Sequence, residues 1–181
     1  MSIKHGLLAL LSDGPRYGYE LRSGFEACTG GAWPLNAGQV YTTLGRLERD
    51  GLVTQEGADD EGHVYYALNE AGRVELQAWF DAPVERTPPP RDELAIKLAL
   101  ATGLAGIDVA TVVQRQRTAT LSTLQALTLQ KAAALDAEHP GPLVVLDALL
   151  SAADAEARFL DVFDARTASR STQRAHQRGD R

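Results

Sequence analysis

The residues best placed to do chemistry lie in one short stretch, Asn36 to Arg49. At 100° per residue, Val40, Leu44 and Leu47 fall within about 60° of one another, so they mark the side of a helix that must face a core. The opposite side presents Gln39, Thr42, Arg46 and Arg49, with Gly45 among them. These types suit a DNA major groove: Arg forks onto guanine O6 and N7, Gln pairs with adenine, and Thr meets a thymine methyl. Gly45 lets the helix backbone approach closely. Tyr41 sits on the flank, where its hydroxyl can reach a phosphate while its ring packs inward. Any solvated amphipathic helix also shows a polar outer face, so the pattern alone leaves both readings open.

Little else is arranged for chemistry. His5, His63, His139 and His176 are scattered, with neither HExxH nor Cys/His metal spacing. Cys28 is the only cysteine, which excludes an intramolecular disulfide and any multi-cysteine zinc cluster and fits a reducing compartment. Its surroundings mark no nucleophile, so a buried helix cysteine is expected. No GxGxxG or GxxxxGK[ST] phosphate cradle occurs, and Asp59/Asp60 fall on a loop without polar machinery around them. The expectation is no enzyme, no metal and no cofactor.

The elements that must hold the 36–49 helix read as follows. A first helix over about Ile3–Ser12 places Ile3, Leu7, Leu8 and Leu11 on one side, and Asp13-Gly14-Pro15 ends it. A second, about Tyr17–Cys28, turns Leu21 and Phe25 inward before Gly30-Gly31. The third opens at Asn36, with Gln39 suited to the reciprocal place of a capping box, and stops at Gly51. Leu52–Glu56 and His63–Leu68 read as strands of a hairpin joined by Gly57–Gly62. Asn69 caps a fourth helix reaching about Phe80. Three short helices and a hairpin spell a winged helix-turn-helix, in which the third helix can enter a major groove.

The 181 residues make one large domain or two small ones, with 44% apolar residues and a formal charge of −6. A net acidic chain argues against a polybasic nucleic-acid coat or a binder of anionic membranes. No apolar run approaches the roughly 20 residues that span a bilayer, and Met1–Leu11 lacks the features of a signal peptide. These features predict a soluble cytoplasmic protein with no membrane partner. Composition changes at Thr87-Pro88-Pro89-Pro90, a stiff connector that no helix crosses. Three regions are therefore expected: 1–86, the winged helix-turn-helix; 87–165, a helical domain; and 166–181, a tail. Residues 1–81 hold 6 basic and 12 acidic side chains, while 82–181 hold 12 of each. The tail carries Arg166, Arg170, Arg174, Arg178 and Arg181 against Asp180 alone, without apolar periodicity, and reads as disordered and solvated. Its arginines recur every four residues and could stripe one face of an induced helix along DNA.

Several strings carry a family resemblance. Tyr17-Gly18-Tyr19-Glu20-Leu21, the run from Trp33 to Glu48, and Asp50-Gly51-Leu52-Val53 resemble the PadR family of bacterial transcriptional regulators. The stretch His63–Arg73 is similar to that family's wing strand and following helix. Arg91–Leu100 resembles the opening of the C-terminal helical domain in its longer members. The likeness covers residues 3–101 and implies a mainly α fold with a small β-hairpin: a winged helix-turn-helix followed by an α-helical dimerisation domain. It also implies a regulator, mostly a repressor, that in some members answers to small aromatic or drug-like molecules. One departure stands out. Wings in this family usually carry basic residues before the paired tyrosines, whereas Asp59-Asp60-Glu61-Gly62-His63 stands here. Three carboxylates are repelled by phosphate, so this wing tip is not expected to insert. His63, when protonated, can bond a phosphate or simply remain a solvated loop histidine. The third helix and the start of the first, Lys4 with His5, are left to hold the DNA. The expected DNA-binding residues are Lys4, Tyr17, Asn36, Gln39, Tyr41, Thr42, Arg46, Arg49 and His63.

In the second part, Leu143, Leu146, Leu150, Ala153, Ala157 and Leu160 follow a/d spacing, widened by Leu149, Phe159 and Phe163. Such a stripe must be buried, either on the preceding helix (about Asp108–Glu138) or on another subunit. The resemblance implies that these helices pair two subunits, and two third helices about 34 Å apart would read a palindrome. A homodimer on a palindromic operator in double-stranded DNA is the expected assembly. Trp33 and Trp79 offer flat faces to an aromatic effector, although packing explains either one more simply. The competing reading is an interaction module that uses its acidic surface to bind protein rather than DNA.

Overall fold

The structure, a computed structural model, describes residues 3–85, 91–135 and 139–179, with side chains through Thr167 in the last stretch. The expected connector Thr87–Pro90 lies outside the described residues. The chain divides into two compact units, Met1–Arg86 with Ala137–Val145, and Thr87–Asp136 with Leu146–Arg181.

In the first unit, α1 (Ile3–Leu10) runs into a single 3₁₀ turn (Leu11–Asp13). Then follow β1 (Arg16–Tyr17), α2 (Gly18–Thr29), α3 (Ala37–Arg49), β2 (Val53–Ala58), β3 (Val64–Leu68) and α4 (Glu70–Asp81). The sheet is antiparallel in the order β1-β3-β2, with Val53 opposite Leu68 and a bulge between Gln55 and Gly57. Strand β1 was not expected; it adds Arg16 and Tyr17 opposite Tyr66 and Tyr65, and two residues are too few to show any alternation. The core gathers Leu7, Leu8, Leu11, Leu21, Val40, Leu44 and Leu47 from the helices with Val53, Tyr66 and Leu68 from the sheet. Each such aliphatic side chain contributes about 1.5–3 kcal/mol by leaving water. Gly72 lets α4 lie against the hairpin: a Cβ there would collide with the Leu52 carbonyl oxygen and with Leu68. Cys28, expected to be buried, is exposed in the last turn of α2: it shares the side of the helix that carries Leu21 and Phe25, but it lies beyond the residues that pack into the core.

The second unit is built from α5 (Glu93–Ala101), α6 (Val109–Ala134) and the part of α7 (Gly141–Gly179) beyond Val145. Asp92 and Asp108 cap α5 and α6 through hydrogen bonds from the Ala95 and Ala110 N–H groups. The α6 and α7 helices run antiparallel, shown by Lys131 paired with Asp147, Gln116 bonded to Glu156, and Arg117 held by Asp161 and Asp164. Leu98, Val113 and Leu160 form the buried cluster. The arginine-rich end, expected to be disordered, continues α7 as helix to Gly179. Ala, Arg and Gln favour helix, and extending an existing helix avoids the cost of nucleation. No helix among the described residues is long and apolar enough to cross a membrane.

Candidate nucleic-acid interface

Helix α3 is fixed at both its start and its inner face. Asn36 Oδ1 accepts from the Gln39 N–H (2.8 Å), and Gln39 Oε1 accepts from the Asn36 N–H (3.1 Å), so the reciprocal capping box forms with Asn in place of Ser or Thr. Val40, Leu44 and Leu47 are fully buried, which locks the rotation of the helix and leaves Gln39, Thr42, Gly45, Arg46 and Arg49 exposed.

An open cleft of about 420 Å³ brings Asn36, Gln39, Thr42 and Arg46 together with Ile3 of α1 and with Gly38 and Thr43. The last three were not anticipated. Gly38 and Thr43 flank the polar positions, and Ile3 arrives only through the packing of α1 on α3. The Arg46 side chain makes no hydrogen bond or ion pair within the described residues, so its guanidinium can form a fork with a guanine. Gln39 is less available: its Oε1 is committed to the cap, and a paired contact with adenine would have to compete with that bond. Arg49 is exposed but leans on Asp50 at 3.3 Å. Tyr41 is 52% exposed, and its ring lies over the start of α2. A Cβ on Gly18 would fall 2.7 Å from that ring, so Gly18 makes room for it.

The other expected contacts sit elsewhere. Lys4 Nζ is bonded to Glu75 Oε1 on α4 at 2.6 Å, and His5 Nε2 meets the same oxygen at 3.1 Å. The charge expected to steady DNA at α1 is therefore balanced by α4, and the Lys4 hydrogen bond leads in holding the Glu75 carboxyl below its usual range. His63, on the wing, is held by Asp59, which accepts from the His63 backbone N–H at 2.8 Å and lies 2.9 Å from Nδ1. The backbone bond from His63 is the main cause that lowers the Asp59 carboxyl pKa. Tyr17 packs beneath, 4.5 Å from the His63 ring and 5.5 Å from Tyr65. Burial first, then Glu20 and neighbouring groups, push the Tyr17 hydroxyl up, so it stays a neutral donor. Trp33 and Trp79 are 37% and 39% exposed. Trp79 stacks on His5 at 5.0 Å, and no ring contact joins the two tryptophans among the described residues.

Of the six seam positions, Leu146 and Leu160 are buried by their own chain, while Leu143, Leu150, Ala153 and Ala157 are half-buried. Leu160 belongs to the cluster with Leu98 and Val113. The widest apolar stripe of α7 thus meets the nearest apolar surface, its own subunit, at these two positions. No group of three or more His, Cys, Asp or Glu able to hold a metal ion occurs among the described residues.

Residues 7–78 match the transcriptional regulator PadR-like family, and residues 90–165 match the virulence activator alpha C-terminal family. Residues 7–78 thus form a PadR-like domain. The chain is 32% identical over 96 residues to the probable transcriptional regulator Rv1176c of Mycobacterium tuberculosis, a match spanning half of each protein. It is 29% identical over 133 residues to the negative transcriptional regulator PadR of Bacillus subtilis, covering 68% of this chain and 71% of that one. The crystal structure of Bacillus subtilis PadR with operator DNA shares its fold at a TM-score of 0.70 and 21% identity, over 91% of this chain and 97% of that one. The same protein with p-coumaric acid gives a TM-score of 0.71 at 22% identity, over 92% and 98%. The Vibrio cholerae virulence activator AphA gives 0.68 at 25% identity, over 93% and 99%.

Proposed function

We propose that this PadR-like regulator is a repressor that binds a palindromic operator as a homodimer, reads it with α3, and is released by a small aromatic ligand. The observation that carries the DNA reading is the locked helix whose outward side gathers Thr42, Gly45 and an unpaired Arg46 beside one open cleft. Support for repression comes from Bacillus subtilis PadR, a negative regulator. Its structures with operator DNA and with p-coumaric acid support the operator and the class of ligand. A homodimer follows from the groove geometry, since one short helix reads too few base pairs alone and two-fold symmetry doubles the site. Regions 1–86 and 87–165 are proposed as the DNA-binding and the dimerising and effector parts.

Fluorescence anisotropy on DNA from upstream of its own gene tests the reading. Arg46→Ala is expected to cost about 1–3 kcal/mol of specific binding if Arg46 reads a guanine. Affinity equal to the parent's, for operator and scrambled duplex alike, would remove Arg46 from that role. The acidic wing, with Asp59, Asp60 and Glu61 exposed, favours the alternative reading, a winged helix that docks a protein. A folded dimer without sequence preference for any DNA fragment would select it.

A further inference from the structure

Positive charge is scarce where α3 would meet DNA. In the first unit, Lys4, Arg16, Arg22, Arg49 and Arg73 each lie within 4 Å of a carboxylate: Glu75, Asp13, Glu26, Asp50 and Glu70. Among the described residues, Arg46 is the one lysine or arginine of that unit outside an ion pair. Exposed pairs exchange partners at little cost, but exchange creates no charge. A phosphate that takes Arg49 leaves Asp50 beside it. With 6 basic against 12 acidic side chains over residues 1–81, this surface opposes a polymer that carries one negative charge per about 1.7 Å of axis.

The surplus lies at the other end of the chain. Arg166, Arg170, Arg174, Arg178 and Arg181 face one acidic residue, Asp180. Because α7 continues as helix to Gly179, positions 166, 170, 174 and 178 follow one another at intervals of about 6 Å, each turned by about 40°. They make a slowly winding basic line about 18 Å long. A tail kept only for solubility has no need of that period, whereas arginine positions repeating at one-turn intervals along a helix suit successive phosphates.

We propose that the end of α7, from Arg166 to Arg178, is a second DNA-contacting element that grips the phosphate backbone without reading sequence. It supplies the attraction that the first unit lacks. The proposal rests on the DNA-binding reading above, and its test uses DNA without an operator so that the two can fail separately.

The full chain carrying R166Q, R170Q, R174Q and R178Q keeps helix-favouring residues at all four positions. It is compared with the parent on a labelled mixed-sequence duplex of about 30 bp, by anisotropy between about 50 and about 200 mM salt. The expected result is at least about a tenfold loss of affinity at the lower salt, with the slope of log affinity against log salt shallower by about 0.9 for each phosphate contact removed. A chain ending at Ala165 must lose the same slope, which separates the effect from any defect of the substituted helix. Equal slope and affinity in parent and variants would overturn the proposal. Arg46→Ala is the separating arm, expected to lose preference for operator DNA while keeping the parent's slope. If no sequence is preferred by any of these proteins, the operator reading fails and the slope difference still decides the role of α7. If the parent binds no duplex at all, both fall.

Discussion

The first unit closes a cluster of twelve buried apolar side chains around a three-stranded sheet, while the buried cluster of the other unit is Leu98, Val113 and Leu160. Exposed apolar side chains occur in both units, but the helical unit has far fewer buried ones to set beside them. Ile96 and Leu100 on α5, Leu121 and Leu129 on α6, and Phe159 and Val162 on α7 all stand in solvent. A unit of that size with so small a core has little to set against its conformational entropy, and apolar surface spread over three helices is what a second copy would cover. The first unit therefore has the larger core of its own among the described residues. For the helical unit, association would supply part of the stability that its own core does not.

The sharpest way to break this contrast is to cut one buried leucine in each unit. Leu44→Ala is expected to destabilise the first unit by about 2–5 kcal/mol, by the same amount at every protein concentration. Leu160→Ala should cost a similar amount in the helical unit, but with a Tm that rises with protein concentration, because association is linked to that unit's folding. Thermal unfolding at concentrations a hundredfold apart checks both. A Leu160→Ala melt independent of concentration would mean that the helical unit stands alone.

A smaller change sharpens the same point at the surface. Val162 is 50% exposed, so Val162→Asp costs little within one chain. A charge buried in an interface without a partner is expensive, and monomers are expected by light scattering, with the helical signal retained. Leu160→Asp, two residues away, should instead unfold the helix pair. If Val162→Asp remains dimeric, the partner-facing side of α7 lies elsewhere.

Legibility in the sequence follows the range of the interactions. The rotation of α3 could be read because its determinants are local: a cap at Asn36 and Gln39, then apolar residues at helical spacing. Strand β1 could not, since it exists only because Tyr65 and Tyr66 offer it an edge some 50 residues later. Nothing local marks Lys4 as paired, because its partner, Glu75, is 71 residues away. Gly18 and Tyr41 both stand in the family strings, yet only the fold shows one as the hollow for the other. The a/d spacing of the seam is real, but spacing does not say whose helix fills the groove, and at Leu160 the chain fills its own. The arginine-rich end misleads by composition, which signals disorder when no neighbouring helix is there to propagate into it.

The smallest expected effect concerns the tie between α1 and α4 and marks how little the first unit depends on its charges. Glu75 accepts from Lys4 and His5, and the Lys4 hydrogen bond, then that of His5, holds its carboxyl below the usual range. A carboxyl whose folded pKa is depressed binds protons less readily than in the unfolded chain. Its contribution is present above the unfolded value, near pH 4.3, and is lost as pH falls through the folded value. Glu75 and Lys4 are each more than a third exposed, so screening keeps the contribution in the range of surface pairs. Glu75→Gln should therefore lower the Tm of the first unit slightly at pH 7, and the gap between parent and variant should close as the pH drops below about 4. A gap that stayed constant with pH would assign the loss to the packing of α1 against α4, with His5 stacked on Trp79, rather than to the carboxylate.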